Sequence, residues 1–496
     1  MVIVARSTFP PTPPPQPPAT VTSSTPVQTA KRPTGVLFVL LLACVSFSLS
    51  QTLVIPALPA IAADLHASPT AVSWVLTAFL LSASIATPIV GKLGDLYGKG
   101  RVLTAVLVVF AAGAVACALA RSVGVLIAGR VLGGVAGGVF PLAFGIVRDT
   151  FPRERIPAGL GMVSAIFGIG GALGLPLSGV VVDVLDTHWL FWLSLLALPA
   201  ALAAHLLIPP LPPGRRPRID WAGAALLSVA LGAILLGVSE ADHWGWGSPA
   251  NVGLIGGGLL LAGAFLVVEA RTAEPLIELD VLRRPAVATT NLSAFMVGVA
   301  MFASFLLVPR FAEAPERAGY GFGASVTLAG LLLLPAGVTQ FLTGPFAGRL
   351  GTRIGFRAVL VTGALLASAS FVVMALAHDH EWEVAVAGAL LGAGISFALA
   401  AMANLIVAAV PQSEVGIATG INTVMRTVGG SFGAAIATAI LAGSTGGPDG
   451  LPTEGAYTAA FAFSAGAGLL AVVAALLVPR SPQPPAPAAV ARAAST

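Results

Sequence analysis

The sequence has little charge and almost no cysteine, and both shortages limit what the protein can be. Only 9% of its 496 residues are Asp, Glu, Lys or Arg, whereas 56% are hydrophobic. Soluble globular domains carry about 25% charged residues, so a soluble fold is excluded. Cys44 and Cys117 both lie in long apolar stretches, which favours small core residues over a disulfide or metal pair. The composition therefore predicts a polytopic membrane protein.

The sequence also lacks the short motifs of several enzyme classes. No Walker sequence or zincin motif occurs in the chain. The histidines show metal-like spacing only at His378-Asp379-His380, which is more typical of a solvated turn. The net charge of +4 comes from cations spread among short polar segments, not from one basic patch. We therefore expect no enzyme, no cofactor, no metal site and no nucleic-acid partner.

What the sequence has in abundance is long apolar runs. Windows of about 20 apolar residues, the length that crosses a bilayer, occur fourteen times. Placing both termini in the cytosol puts most of the 25 Lys and Arg residues on the cytosolic side, as the positive-inside rule requires. The sequence thus predicts an all-α, multi-pass protein of the cytoplasmic (inner) membrane with both termini cytosolic. The expected spans are 35–62, 70–90, 102–120, 123–147, 157–181, 189–208, 221–239, 251–269, 287–308, 324–347, 358–377, 384–409, 417–442 and 457–478.

One polar motif occurs twice and divides the chain. Residues 91–101 concentrate glycine and charge between two apolar runs, and residues 348–357 repeat the glycine frame. Each copy is expected as a loop between the second and third helices of a six-helix half, which predicts parallel repeats with a substrate path at their interface. The expected parts are a disordered Pro-rich cytoplasmic tail at 1–34, a first half at 35–208, two additional helices with their loops at 209–286, a second half at 287–478 and a disordered cytoplasmic tail at 479–496.

Four motifs together resemble one known family. Residues 91–101 match G-x-L-x-D-x-x-G-[RK]-[RK], with the last cation one place late. Residues 126–138 resemble a fourth-helix R-x-x-Q-G motif with glycine for Gln, and residues 170–179 resemble the antiporter motif G-x-x-x-G-P-x-x-G-G. Residues 49–59 resemble L-D-x-T-I-V-x-x-A-L-P, with Ser50 in place of the usual acid. The sequence is similar to the major facilitator superfamily, and within it to the fourteen-helix drug:proton antiporter branch.

The resemblance implies a function and a role for the repeated motif. It implies a secondary active transporter that exports small, drug-like or antibiotic-like compounds by alternating access and proton antiport. It also implies that the motif stabilises one access state and acts as a hinge. We expect Asp95 and its neighbouring cations to form a contact between the second helix and a later helix of the same half, and a stronger latch in the first copy because Thr352 replaces the acid in the second. The candidate gating residues are Gly91, Asp95, Gly98, Lys99, Arg101, Gly348, Arg353 and Gly355.

Two arginines and several polar side chains fall inside or near the expected spans. Arg130 and Arg426 lie well inside their helices, where an arginine costs roughly 3 kcal/mol and usually faces a cavity or pairs with polar groups. For Arg130 the alternative is hydrogen bonding to backbone carbonyls of neighbouring helices, and for the amides it is interhelical hydrogen bonding. The candidate substrate or coupling residues are Arg130, Arg426, Ser50, Gln51, Gln340, Asn404 and Asn422.

No Asp or Glu lies in the middle of an expected span, and this absence bears on substrate and coupling. Ser50 cannot titrate where the resembling family has an acid. Two buried arginines without a buried acid favour a neutral, zwitterionic or anionic substrate over a lipophilic cation. If protons are coupled, their carriers must lie near a mouth of the transport path, although acids in such places are more often solvated loop residues. The candidate proton carriers are Asp183, Asp186, Glu240 and Asp242.

Three functions stay open on the sequence alone. The first is proton-driven export of small organic compounds. The second is a facilitator or uptake carrier for a neutral or anionic metabolite without proton coupling, which Ser50 favours. The third is a membrane enzyme or lipid-handling protein, for which the spans offer no set of catalytic groups. For transport, the expected partners are a small-molecule substrate, the lipid bilayer and, in antiport, protons, with the protein acting as a monomer.

Overall fold

The computed structural model describes residues 33–209, 220–272, 274–444, 446 and 451–480, so nearly all of the two expected tails lies outside the described residues. Every regular element in this part of the chain is a helix. Thirteen of the described helices are long and apolar enough to cross a membrane. The helix at Ile156–Val184 has 29 residues, about 43 Å at 1.5 Å per residue, which also exceeds the hydrocarbon thickness. The predicted all-α polytopic fold is confirmed.

These fourteen helices are numbered α1 to α14 in chain order. The first half contains α1 at Pro33–Thr52, α2 at Pro69–Tyr97, α3 at Lys99–Ala118, α4 at Val123–Thr150, α5 at Ile156–Val184 and α6 at Trp189–Leu207. The additional pair is α7 at Trp221–Ser239 and α8 at Pro249–Glu269. The second half contains α9 at Pro285–Glu313, α10 at Val326–Ile354, α11 at Phe356–Leu376, α12 at Glu381–Ala409, α13 at Val415–Ala442 and α14 at Glu454–Leu476.

Short helical segments interrupt or connect the long ones. The expected span 35–62 is divided in the structure, because α1 ends at Thr52 and a separate helix covers Val54–Asp64. Two spanning helices contain an inner 3-10 turn, at Val135–Gly138 in α4 and at Leu193–Leu196 in α6. The other short helices cover Ala241–Trp244, Leu279–Arg283, Glu316–Ala318 and Gln412–Glu414.

Local sequence explains where several of the helices begin. A short polar side chain accepts a hydrogen bond from a backbone N–H of the first turn, which supplies one of the partners that a helix start lacks. In α2, α8 and α10 a serine has this position, and in α7 an aspartate has it. The capping residues are Ser68, Ser122, Asp220, Ser248, Ser325 and Thr453.

The repeated glycine motif forms helix ends and not the expected polar loop. α2 continues to Tyr97 and α3 begins at Lys99, so a single residue, Gly98, reverses the chain. Gly355 does the same between α10 and α11. The φ angles of Gly98 and Gly355 are 96° and 89°, a region that strongly favours glycine. The motif therefore supplies two equivalent one-residue reversals, one in each half.

The two halves are built from the same helix pairs. In the first half α1 packs on α5 and α6, α3 packs on α4 and α6, and α2 packs on α4. In the second half α9 packs on α13 and α14, α11 packs on α12 and α14, and α10 packs on α12. These pairs correspond one to one in helix order. The halves are therefore parallel structural repeats of the kind found in duplicated transporters.

Between the halves, corresponding helices exchange partners. α5 packs on α10, and α2 packs on α13. The additional helix α7 lies against both α2 and α13, at one side of this interface. The C-terminal ends of α2, α4, α10 and α12 and the N-terminal ends of α3, α5, α11 and α13 lie on one face of the bundle, joined by contacts such as Lys99 with Asp149 and Arg148 with Val410. We call it the termini face, because α1 starts and α14 ends there.

Candidate functional site

A cavity of about 220 Å³ lies between the halves, and both halves contribute to its wall. Aromatic rings and a methionine supply apolar surface, while hydroxyl and amide groups supply polar contacts. Such a wall suits an amphipathic organic molecule. The first half contributes Phe47, Ser48, Gln51, Thr52, Ser84, Thr87, Phe140 and Phe167, and the second half contributes Met301, Phe302, Phe305, Thr423, Arg426 and Thr427.

Arg426 is the charged residue among the described residues of this wall. Only 5% of its surface is exposed, and its guanidinium carbon lies 4.3 Å from the centroid of the Phe167 ring. Phe167 in turn stacks on Phe140, with ring centroids 3.7 Å apart. A guanidinium over an aromatic face is a favourable cation–π arrangement. The expectation that Arg426 faces a cavity therefore agrees with its position.

Arg130 is buried as deeply but has a different environment. Its Nη1 donates to the carbonyl oxygen of Ser50 at 3.0 Å and to Ser50 Oγ at 3.1 Å, and its Nε donates to the carbonyl of Val75 at 3.1 Å. Its guanidinium lies 3.7 Å from the centroid of Phe79. Neither Arg130 nor Ser50 lines the cavity. These contacts link α1, α2 and α4, which is the structural alternative expected for this arginine.

The four candidate amides separate in the same way. Gln51 lines the cavity, whereas Gln340, Asn404 and Asn422 do not. The side chain of Asn404 donates to the carbonyl of Ala400 in its own helix at 2.8 Å. Asn422 donates to the side chain of Asn291 at 3.0 Å and so joins α13 to α9. The structure therefore brings Gln51 and Arg426 together, and leaves any transport role of the other amides as a prediction.

Asp95 joins the two halves at the termini face. Its Oδ1 accepts the N–H of Gly416 at 3.2 Å and its Oδ2 accepts the N–H of Ile417 at 3.1 Å, both at the start of α13. We expected Asp95 and its neighbouring cations to contact a later helix of the same half; for Asp95 itself this was wrong, whereas Lys99 does contact Asp149 of the same half. The N-terminus of α13 presents unpaired N–H groups and a positive dipole end, which a carboxylate satisfies well. Lys99 completes the contact, with Nζ 3.2 Å from Asp95 Oδ1.

Asp149 on α4 connects Lys99 to another helix of the first half. Lys99 Nζ lies 3.0 Å from Asp149 Oδ2, so one buried cation holds two carboxylates. Asp149 Oδ1 accepts from Gln412 Nε2 at 2.7 Å, and Arg148 donates to the carbonyl of Val410 at 3.0 Å, both across the interface. Asp149 and Gln412 were not among the sequence candidates, because neither lies in the repeated motif.

Glycines let the halves approach to backbone contact on this face. A Cβ on Gly91 would collide with the carbonyl of Gly416, and one on Gly348 would collide with the carbonyl of Pro157. In the second copy the Thr352 hydroxyl donates to the backbone carbonyl of Arg349 in its own helix at 2.7 Å. A carboxylate thus links the halves only in the first copy, as far as the described residues show. Arg101 and Arg353 lie on the exposed surface nearby.

The candidate proton carriers lie away from the cavity where the structure describes them. Asp186 is exposed and accepts the backbone N–H of His188 at 2.8 Å. Glu240 is buried at the end of α7 opposite the termini face. The side chains of Asp183 and Asp242 lie outside the described residues. No described acid lines the cavity, and the role of these four residues stays a prediction.

A second polar cluster closes the second half at the opposite face. His378 Nε2 lies 3.1 Å from Glu454 Oε1, and the Tyr320 hydroxyl donates to the carbonyl of Pro452. Burial raises the pKa of the Tyr320 phenol, which keeps this hydroxyl a neutral donor. Among the described residues, no group of three His, Cys, Asp or Glu side chains is arranged to hold a metal ion.

Two parallel six-helix repeats that enclose an amphipathic cavity define a membrane carrier. The chain belongs to the Major Facilitator Superfamily, whose family model matches residues 40–314 and again residues 290–495. The predicted superfamily is therefore confirmed, and fourteen helices accord with the suggested branch. Members of this superfamily are transporters, which favours the two transport functions considered above over a membrane enzyme or lipid-handling protein.

Individual relatives agree with this assignment. An uncharacterised MFS-type transporter of Mycobacterium tuberculosis is 31% identical over 377 residues, which is 74% of this chain and 54% of that protein, so the match spans about half of its length. The tetracenomycin C resistance and export protein of Streptomyces glaucescens is 30% identical over 407 residues, 79% of this chain and 72% of that protein. The crystal structure of the human organic anion transporter MFSD10 covers 89% of this chain and 99% of its own at a TM-score of 0.64 and 18% identity, a likeness of fold.

Proposed function

We propose that the protein is a secondary active transporter that exports small, drug-like or antibiotic-like organic compounds across the cytoplasmic membrane. The observation that carries this proposal is the amphipathic cavity between the repeats, which the Asp95 contact with α13 joins at the termini face. The name of the Streptomyces glaucescens relative, a tetracenomycin C resistance and export protein, supports the substrate class.

The charge distribution supports the orientation. The termini face carries Lys92, Lys99, Arg101, Arg148 and Arg349, and cytosolic segments are enriched in such cations. With both termini in the cytosol, the described conformation is closed toward the cytosol. In an alternating-access cycle the protein must then separate α2 from α13 and α5 from α10 to admit substrate from inside.

Proton antiport is the proposed energy source, with Asp183, Asp186, Glu240 and Asp242 as carrier candidates. Protons would then bind away from the substrate, since no described acid lines the cavity. The same observation favours a second candidate function, a facilitator without proton coupling. We propose that either carrier works as a monomer, because one chain supplies both the cavity wall and the gate.

Transport by inside-out vesicles tests the proposal. The cytosolic side then faces the medium, so export appears as uptake of a labelled compound into the vesicle. Proton antiport is supported if an imposed pH gradient, acid inside, drives uptake in vesicles that contain the protein and not in vesicles without it. Uptake that follows the concentration gradient of the compound and does not depend on the pH gradient would support the facilitator. No uptake of any compound in a panel of anions, neutral molecules and cations, with unchanged drug tolerance on deletion and overexpression, would overturn both.

A further inference from the structure

Arg426 is a buried cation without a counter-charge among the described residues. No described side chain or carbonyl forms a hydrogen bond or ion pair with its guanidinium, whose recorded contact is the face of Phe167. Arg130 is a built-in comparison. That arginine is buried as deeply and lies outside the cavity wall; its Nη2 also lacks a partner among the described residues, but its Nε and Nη1 donate three hydrogen bonds to the first two helices. The two arginines are therefore similarly buried, but only the guanidinium of Arg426 can donate to a ligand in the cavity.

The cost of burial indicates that Arg426 has a ligand during the cycle. An ionised group removed from water without a partner costs several kcal/mol, so buried arginines are paired or functional. The ring of Phe167 stabilises the face of the guanidinium but takes none of its N–H donors, which point along its edge. The free donors suit the fork-like recognition of a carboxylate or a similar anion.

The rest of the wall specifies the remainder of the ligand. Phe140, Phe167, Phe302 and Phe305 offer rings on both sides of the interface. A cavity of about 150 Å³ admits benzene, so a cavity of about 220 Å³ has room for a larger aromatic group. A cationic ligand would meet Arg426 with no described acid in the wall to compensate it, whereas an anionic ligand would neutralise the cavity.

We propose that the cavity binds amphipathic aromatic anions, with the anionic oxygens on the Arg426 guanidinium and the rings among the phenylalanines. This inference rests on the proposed transport function and names its substrate class. It also accounts for a wall without an acid. Export of a monovalent anion moves negative charge out of the cell, and an inside-negative potential of about 100 mV alone sustains a roughly 50-fold gradient of such an anion.

Three probes of similar shape separate the contribution of the ligand's charge to binding from that of its aromatic ring. The probes are 1-naphthoate, 1-naphthylmethanol and 1-naphthylmethylammonium, which are an anion, a neutral molecule and a cation on the same aromatic group. Binding to the purified full-length protein in lipid nanodiscs is measured by calorimetry for wild type, Arg426→Gln and Arg426→Lys. The matched control is Arg121→Gln, which removes an exposed arginine at the opposite face.

We expect wild type to bind naphthoate at least tenfold more tightly than either other probe. Arg426→Gln should weaken naphthoate binding about 10-fold to 100-fold and leave naphthylmethanol unchanged, Arg426→Lys should keep part of the preference, and Arg121→Gln should match wild type. Wild-type protein that binds the ammonium or the alcohol as tightly as naphthoate, or more tightly, would overturn the proposal. This comparison needs no variant, so it remains valid even if a variant does not fold. A folded Arg426→Gln protein with full naphthoate affinity would also overturn it.

A transport arm separates this inference from the function on which it rests. Movement of the alcohol or the ammonium but not of naphthoate in the vesicle assay would refute the anion class while supporting export. Movement of naphthoate that increases with an imposed potential and is lost in Arg426→Gln would support both. Absence of movement for every compound tested would refute the transport function itself.

Discussion

Asp95 and Gly416 are 321 positions apart in the chain, yet a carboxylate oxygen of the first accepts the backbone N–H of the second at 3.2 Å. Ile417 donates to the other oxygen at 3.1 Å. The two residues belong to different repeats, so their contact holds the halves together at the termini face. Hydrogen bonds to a charged group contribute about 1.5 to 3 kcal/mol each. This contact is large enough to bias the equilibrium between two access states.

Asp95→Asn should weaken this latch. An amide keeps the size of the side chain but loses the charge that the α13 N-terminus favours, so we expect a shift of about 1 to 3 kcal/mol toward opening. Hydrogen exchange of the α13 N–H groups at Gly416 and Ile417 should become roughly 5-fold to 100-fold faster. Thr352→Ala, at the equivalent place of the second copy, is the control and should leave this exchange unchanged. Equal hydrogen-exchange rates in Asp95→Asn and wild type would show that Asp95 does not hold the halves together.

Lys99→Met should destabilise the fold more than substitution of an exposed cation does. The variant leaves Asp95 and Asp149 buried without their shared counter-ion, at a cost of about 3 to 5 kcal/mol. Thermal unfolding in detergent measures the loss. Adding Asp149→Asn should recover part of it, because fewer buried charges then stand unpaired. Arg101→Gln, which removes an exposed cation nearby, should change little. A Lys99→Met protein as stable as that control would show that the cluster is not a buried ion network.

Gly91→Val should prevent closure of the termini face. A side chain on Gly91 collides with the backbone of Gly416, so the halves must separate and the closed state should become a minor one. We expect transport to fall at least tenfold while the helix content measured by circular dichroism stays unchanged. Gly257→Val is the matched control, since nothing lies within 4 Å of a Cβ at that position. Normal transport by Gly91→Val would contradict a cycle that requires this contact.

Local sequence explains much of the fold. Apolar length gives the spans, and the need for positive φ explains why Gly98 and Gly355 recur at equivalent reversals. The partner of Asp95 could not be predicted, because a contact over 321 positions depends on how the repeats pack. Arg130 and Arg426 likewise look alike in sequence. They differ because Arg130 meets carbonyls of α1 and α2, while Arg426 faces the space between the halves.

The distance between the halves at the termini face shows whether the Asp95 contact holds the carrier closed. Spin labels at Tyr97 and Ser413, which are exposed at the end of α2 and just before α13, report on this distance by double electron–electron resonance. For wild type we predict one predominant short distance. For Asp95→Asn we predict that a second, longer distance grows at the expense of the first. A single unchanged short distance in both proteins, with transport intact, would contradict a carrier that is held closed by Asp95 on α13.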